Sequence, residues 1–234
     1  MEVLANASVE HTAIGRIVIP SNVPEGFRLF YTTIDFDGRI DERIRDFVKP
    51  AVLSSCHQIH SAIVWRTGNP ACPDRQDCLS STEPECDALW CDRPQTALAI
   101  KVSDCLPVSI IDTRGAIANI HSGWRGAVQH ITAKTLDAAP LDPRVSTAFL
   151  GPSIRVCCFE VGEEVADQFE SRFVDRNRGR KPHVDIAAFT SAILRDRGFE
   201  RIVDTGLCTR CPGSIFHSYR RDKQSGRNLA IVAN

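Results

Sequence analysis

The sequence of 234 residues predicts an α+β (mixed α/β) fold with mixed sheets. Segments of strand length, apolar or alternating, interleave with segments of helical periodicity. The two central strands flank the turn signal Asp112-Thr113-Arg114-Gly115, which predicts an antiparallel hairpin and disfavours a doubly wound parallel sheet. Because 43% of the residues are hydrophobic and 24% are charged, the chain can bury a substantial core. We expect one domain over residues 1–234.

The elements follow from local patterns. Strands are predicted at residues 16–19, 27–33, 62–65, 97–103, 106–111, 116–121, 146–150, 201–203 and 228–232. The strand at 97–103 alternates as if half-buried, whereas 106–111 is a continuous apolar run. Helices are predicted at 127–136, 160–172 and 185–197, the last with Asp185 as its N-cap. Residues 68–86, rich in proline and cysteine, look like a surface loop of undetermined role.

Composition and charge indicate which classes of binding partner and which cellular compartment to expect. With 28 basic against 29 acidic residues, the net charge of −1 gives no reason to expect a nucleic acid or an anionic membrane. No apolar run approaches the roughly 18 residues of a membrane span. The N-terminal residues lack a secretory pattern, so we expect a cytoplasmic protein. Its ten cysteines are then thiols or metal ligands.

A thiol and two imidazoles are the candidate metal ligands. Cys105 lies where the chain breaks between two strands, and His121 ends the returning strand of the hairpin, so both can converge at one end of a sheet. His60 precedes another short strand. One thiolate and two imidazoles suit Zn²⁺ and leave a fourth position open, as in catalytic sites. Spacing alone leaves the alternative of a buried cysteine and two hydrogen-bonded histidines.

Two further patterns suggest anion binding. Gly123 permits a tight turn into a helix whose free N–H groups, together with Arg125, suit phosphate. Alternatively, Arg125 is only a surface cation. Tyr219, Arg220 and Arg221 suit a phosphorylated or aromatic ligand, although a solvated charged turn explains them equally.

The pair Cys208 and Cys211 has C-x-x-C spacing. Without a thioredoxin-like context this spacing favours packing thiols, with a second metal site as the alternative.

Several longer motifs occur in the order of one family. They are Gln58-Ile59-His60, Cys86-Asp87-Ala88-Leu89, Ser103-Asp104-Cys105-Leu106-Pro107-Val108, His121-Ser122-Gly123-Trp124-Arg125-Gly126, Gly151-Pro152-Ser153-Ile154, Cys157-Cys158-Phe159-Glu160-Val161-Gly162, Cys208-Thr209-x-Cys211 and Phe216-His217-Ser218-Tyr219-Arg220-Arg221. Over residues 52–234 the chain resembles the YfiH-type family, also called laccase-domain, multicopper polyphenol oxidase-like or peptidoglycan editing factor proteins.

The resemblance implies a single α-β-β-α layered domain of the cysteine-hydrolase type, with zinc on His60, Cys105 and His121. It also implies a purine nucleoside enzyme, which phosphorolyses adenosine, inosine and S-methyl-5'-thioadenosine and deaminates adenosine. Its small-molecule partners would be the nucleoside and phosphate, and the protein would be a monomer or a homodimer.

For phosphorolysis we expect Arg125 and the adjacent helix N-terminus to hold phosphate, with help from Arg220 or Arg221. In deamination, a zinc-bound hydroxide would attack C6 of adenine, as in zinc nucleobase deaminases. Asp104 would either manage a proton or orient His121.

Of three rival functions, the residues exclude one and leave two open. Multicopper oxidation of phenols needs many imidazoles, and seven histidines without an H-x-H pair exclude it, although copper can occupy the zinc site adventitiously. Cys105 with His121 as base could instead hydrolyse a cell-wall precursor, provided that the thiol is free of metal. Zinc could also merely stabilise a non-enzymatic binding domain.

Overall fold

The computed structural model describes residues 2–4, 6–67, 83–223 and 226–234. The strands are β1 (Glu2–Leu4), β2 (Ala7–Thr12), β3 (Gly15–Pro20), β4 (Arg28–Thr32), β5 (Val52–Ser54), β6 (Val64–Arg66), β7 (Ala88–Cys91), β8 (Thr96–Val102), β9 (Leu106–Asp112), β10 (Ile117–Ser122), β11 (Ser146–Leu150), β12 (Val174–Asp175), β13 (His183–Val184), β14 (Ile202–Asp204) and β15 (Asn228–Ala233). The helices are α1 (Glu42–Val48), α2 (Trp124–Val128), α3 (Ile131–Ala138), α4 (Glu163–Ala166), α5 (Ile186–Asp196) and α6 (Tyr219–Asp222), with a 3₁₀ turn at Ser171–Phe173.

Two mixed sheets dominate the described residues. The first has the strand order β1-β2-β3-β4-β15-β8-β5, and the second has the order β14-β11-β9-β10-β7-β6. The pairs β5–β8, β6–β7 and β11–β14 are parallel, whereas β9 and β10 form the expected antiparallel hairpin. The mixed α/β class is therefore confirmed.

The sheets pack face to face, and helices cover their outer faces. Leu98 of the first sheet and Leu89 of the second belong to the apolar layer between them. On the outer side of the first sheet, α1 inserts Ile44. On the outer side of the second sheet, α3 and α5 insert Ile131 and Leu194. Each such fully buried aliphatic side chain stabilises the fold by about 1.5–3 kcal/mol. One apolar layer between the sheets and one beneath the helices on each outer face together give the α-β-β-α order.

Several predicted elements differ in extent. The helix expected at 127–136 is broken into α2 and α3, because His130 adopts a left-handed conformation with φ 59°. The helix expected at 160–172 is reduced to α4 and the 3₁₀ turn, because Val161 donates its N–H to Pro182 and is drawn into extended pairing. By contrast, α5 begins as expected, with Asp185 accepting from Ala188 N at 2.9 Å.

The strand expected to be half-buried, β8, is covered on both faces. It lies between β15 and β5, with the second sheet on one side and α1 on the other. Elements not predicted include β1, β2, α1, β5 and β7. Most of the cysteine-rich loop, residues 68–82, lies outside the described residues. Within the described ranges, none of the helices is both long and apolar enough to cross a bilayer.

Candidate metal centre and active-site cavity

Three separate segments bring the predicted ligands to one end of the sandwich. Cys105 lies in the crossover from β8 in the first sheet to β9 in the second, directly after Asp104, whose φ is 86°. His121 lies in β10, paired with Pro107 of β9. His60 lies in the connection between β5 and β6 and has φ 59°. The structure thus brings together all three residues singled out in the sequence.

The three side chains form a compact donor set, which we call the imidazole–thiol centre (His60, Cys105 and His121). Their ligand atoms lie within 4.8 Å of one another. Cys105 Sγ lies 3.9 Å from His60 Nε2, and the two imidazole rings have centroids 4.9 Å apart at 77°. One thiolate and two imidazoles in this arrangement fit a tetrahedral Zn²⁺ with a fourth position for water or substrate.

Gly123 leaves the space that the centre occupies. A Cβ atom at this position would lie 3.0 Å from Cys105 Sγ and 3.2 Å from the ring of His60. A larger residue would therefore push against two of the three candidate ligands. The requirement for glycine here is proximity, not a positive φ.

Asp87, fully buried just before β7, organises the centre. Its carboxylate accepts from His121 Nδ1 at 2.8 Å, which leaves Nε2 of that ring for ligation. It also accepts from the backbone N–H groups of Ile59, His60 and Ser61 at 3.3, 3.0 and 2.6 Å. One carboxylate therefore fixes both the His121 ring and the turn that carries His60.

Electrostatics favour a thiolate at Cys105. Burial opposes ionisation of this thiol, but the adjacent His121 and His60 outweigh it and lower the pKa of Cys105 to about 6. Burial likewise opposes charge on His121, but Cys105 and Asp87 raise the pKa of His121 to about 9. In the metal-free protein the pair is therefore a thiolate and an imidazolium at neutral pH.

This ionisation state predicts the pH dependence of alkylation. In chelator-treated protein, iodoacetamide should modify Cys105 with a midpoint near pH 6, because only the thiolate reacts and the folded-state pKa is lowered to about 6. Reactivity should be present above that pH and lost below it. Peptide mass mapping separates Cys105 from the other cysteines. In His121→Asn the midpoint should rise towards the ordinary value of about 8.5, and an unchanged midpoint would contradict the pairing.

The centre opens into a cavity of about 480 Å³, a size within the range of about 300–1,000 Å³ usual for small-molecule sites. Its lining includes Tyr219, which is 53% exposed, and Phe159, which is buried. Three cations also line it, namely Lys101, Arg220 and Arg227. The cavity thus combines aromatic surfaces, positive charge and the imidazole–thiol centre.

Asp104 lines the cavity, but it makes contacts other than those expected. Its carboxylate accepts from Thr209 Oγ1 at 2.6 Å and from Arg220 N at 2.7 Å. The role of orienting His121 belongs to Asp87 instead. Asp104 clamps the Cys105 crossover to the loop after β14 and to α6.

The three predicted arginines are placed differently. Arg220 lines the cavity, with its guanidinium 5.5 Å from the Phe159 ring centroid and one Nη donating to Glu160 O. Arg221 donates to backbone oxygens and pairs with Asp222, and it is absent from the lining. Arg125 is exposed, 4.4 Å from the Trp124 ring centroid, and also absent from the lining.

Sequence reasoning missed Asp87 and Lys101 as residues of this site. Asp87 stands in a quoted motif, Cys86-Asp87-Ala88-Leu89, and an acidic residue directly before a buried strand was the available signal. Lys101 is the one cation on β8, and this position has no local signal that points to the cavity. Arg227 precedes β15 and follows the arginines at 220 and 221, so the clustering of arginines was its signal.

Comparison with known proteins is consistent with this geometry. The family described as "Multi-copper polyphenol oxidoreductase laccase" matches residues 39–234. The chain is 32% identical over 184 residues to "Purine nucleoside phosphorylase YfiH" of Escherichia coli (strain K12), covering 75% of this chain and 71% of that protein. It is 34% identical over 162 residues to "Adenosine deaminase RL5" from an unknown prokaryotic organism, covering 62% of this chain and 61% of that protein.

Among solved structures, a YfiH protein of Bacillus licheniformis superposes with a TM-score of 0.81 at 20% identity. The superposition covers 96% of this chain and 98% of that one. At this identity the similarity establishes the fold.

Proposed function

The chain belongs to the family described as multi-copper polyphenol oxidoreductase laccase, and it is similar to a YfiH protein named purine nucleoside phosphorylase. From this premise we propose that it is a zinc-dependent purine nucleoside phosphorylase. The substrates proposed are adenosine, inosine and S-methyl-5'-thioadenosine, with adenosine deamination as a second activity. The observation that carries the proposal is the imidazole–thiol centre at the wall of a cavity that also holds aromatic and cationic side chains. Relatives named purine nucleoside phosphorylase and adenosine deaminase support it.

The cavity residues offer a binding surface for the purine and donors for phosphate. The exposed ring of Tyr219 offers a face on which a purine can stack. The guanidinium of Arg220, held against Phe159 and Glu160 O, offers forked donors to phosphate oxygens. We assign phosphate to Arg220 rather than to Arg125, because only Arg220 lines the cavity of the imidazole–thiol centre.

In phosphorolysis, a phosphate oxygen forms a bond to C1' of the ribose while the bond from C1' to the purine nitrogen breaks. The electron pair of that bond leaves with the purine, which takes up a proton, and the other product is ribose 1-phosphate. The protein contributes mainly position and charge compensation, because Arg220 offsets the negative charge of phosphate brought next to the sugar. Bound zinc would supply Lewis acidity at the open face of the centre.

In deamination, water adds to C6 of adenine and ammonia leaves, which needs no phosphate. Both reactions bind the same nucleoside, so one cavity can serve them. Asp87 would hold His121 in place throughout, since its carboxylate bonds the ring nitrogen that faces away from the centre.

The test is to incubate the purified zinc protein with adenosine, with and without phosphate, and to separate the products chromatographically. We expect adenine and ribose 1-phosphate only with phosphate, and inosine in both samples. Absence of all three products would refute the proposal.

Two variants locate the phosphate. In Arg220→Gln we expect the KM for phosphate to rise roughly 10- to 100-fold, since hydrogen bonds to charged groups contribute about 1.5–3 kcal/mol. Inosine formation without phosphate should change much less. Arg125→Gln tests the site expected from sequence, and a larger rise there than in Arg220→Gln would move phosphate to the α2 terminus.

One observation favours a second candidate, hydrolysis of a cell-wall precursor by Cys105 and His121. The lowered pKa of Cys105 and the raised pKa of His121 describe an activated thiolate beside an acid. This chemistry requires metal-free protein, so activity that survives chelation and is abolished by iodoacetamide would support it. Multicopper oxidation has too few imidazoles, because the sequence has seven histidines and the described residues gather two of them at the centre.

A further inference from the structure

A second group of thiols is formed by residues outside the imidazole–thiol centre. Cys157 and Cys158 lie in the turn that follows β11, and Cys208 and Cys211 lie in the loop after β14. Their four Sγ atoms lie within 4.8 Å of one another. Cys211 Sγ is 3.5 Å from that of Cys157 and 3.6 Å from that of Cys158. We call these residues the four-thiol cluster.

We propose that the four-thiol cluster binds one structural zinc ion through all four thiolates. Zinc–sulfur bonds of about 2.3 Å in a tetrahedron place the sulfur atoms about 3.8 Å apart, close to the separations at Cys211. An iron–sulfur cluster would place its cysteines on different irons and farther apart. Because four protein ligands leave no position for substrate, the ion would be structural.

The two segments are held side by side before any ion binds. Ser153 and Cys208 form a parallel bridge. Ser153 donates its N–H to Leu207 O at 3.2 Å, and Thr209 donates its N–H to Ser153 O at 3.0 Å. The cysteines that follow each segment therefore meet without rearrangement of the backbone.

Charge explains why a cation is needed. Four thiolates whose sulfur atoms lie within 4.8 Å of one another would repel each other strongly. A divalent cation between them offsets part of this negative charge, so zinc would bind as the thiol protons leave.

The cluster also borders the cavity. Thr209, between two of the cysteines, donates to Asp104 and accepts from Arg221 Nη1 at 3.1 Å. Phe159, next to Cys158, lines the cavity. A zinc ion here would fix two loops that form one wall of the active site, without touching substrate.

Metal analysis of protein purified without chelators tests the proposal. We expect two zinc ions per chain in the wild type, one in Cys208→Ser/Cys211→Ser and one in Cys105→Ala. The double variant should also lower the Tm by roughly 5 °C or more. In protein reconstituted with Co²⁺, Cys105→Ala should keep the intense thiolate-to-cobalt absorption of a four-thiolate site, and the double variant should lose it.

Two further variants keep the result decisive. Cys157→Ser alters an exposed residue, so it should fold normally while binding the second zinc more weakly. Cys91→Ala, a buried thiol outside both groups, should keep two zinc ions. The proposal is overturned if the wild type and Cys208→Ser/Cys211→Ser hold equal zinc, if thiol counting and mass show disulfides among the four, or if the ion is iron. Because the two zinc ions are counted separately, failure of this proposal can be distinguished from failure of the proposed nucleoside activity.

Discussion

Replacing Cys105 by alanine is expected to remove zinc from the imidazole–thiol centre and to lower kcat/KM for adenosine phosphorolysis by more than about 100-fold. Mutation of a residue that only hydrogen-bonds to a metal ligand lowers metal affinity or activity by about 10- to 100-fold. The loss of a ligand itself should therefore have a larger effect. Two imidazoles remain, and their ligand atoms lie within 4.8 Å of each other. Two neutral donors without the thiolate bind zinc far more weakly. Zinc content and product formation are the measurements.

Cys91→Ala is the matched control, because Cys91 is a buried thiol in β7 that contacts Thr96 instead of the centre. It should retain zinc and turnover. His60→Ala separates the enzyme from a merely zinc-stabilised binding domain: the enzyme predicts a folded protein with greatly reduced turnover, because His60 is exposed. Full activity in metal-free Cys105→Ala would contradict the metal-dependent mechanism.

The hairpin and the convergence of two candidate ligands could be predicted because their signals are local. An apolar run, a turn with Asp112 and Gly115, and a second apolar run define β9 and β10. Register then follows from the turn, and it places Cys105 and His121 at the same end. The continuous apolar run predicted β9 to within one residue, because a strand covered on both faces needs no alternation.

His60 could be linked to that end through family motifs but not through spacing. Its position depends on Asp87, which lies 27 residues away in sequence and bonds the His60 N–H. The Asp87 carboxylate accepts hydrogen bonds from both the His60 turn and the His121 ring, and such tertiary contacts leave no periodic pattern in the sequence. Asp87 could therefore be noticed in its motif, but its role could not be predicted.

The expected phosphate site at Arg125 stays a prediction, but the structure places this residue away from the cavity, for a related reason. A helix after a glycine turn suggested an anion site at Arg125, but α2 has only five residues and Arg125 lies over Trp124. Arg220 instead reaches the cavity because Asp104 binds its backbone N–H. Local sequence predicts that an arginine exists near a turn, whereas contacts between distant loops decide where it points.

Asp87→Asn is expected to reduce the affinity of the imidazole–thiol centre for zinc by about 10- to 100-fold. The amide keeps the shape of the side chain, but it replaces one acceptor oxygen with a donor. That donor must face groups that are themselves donors, since His121 Nδ1 and the N–H groups of His60 and Ser61 all point at the carboxylate. Zinc competition against a chromophoric chelator measures the affinity.

The same substitution should reduce stability in a pH-dependent way. Burial opposes ionisation of Asp87, but hydrogen bonds from His121 and Ser61 outweigh it and hold the pKa at about 2. Relative to an unfolded value of about 3.9, this corresponds to about 2.6 kcal/mol. Since the folded pKa is lowered, that stabilisation is present above about pH 4 and is lost as the pH falls towards 2.

The difference in Tm between wild type and Asp87→Asn should therefore be largest near neutral pH and shrink towards pH 2. Asp92→Asn is the matched control, because Asp92 follows the same strand but pairs with Arg66 at the surface, where a salt bridge contributes about 0–1 kcal/mol. Measuring metal-free samples separates this effect from lost zinc binding. A difference in Tm that does not depend on pH would mean that packing, not the buried charge, explains the conformation of the His60 turn. Wild-type zinc affinity in Asp87→Asn would show that Asp87 does not organise the centre.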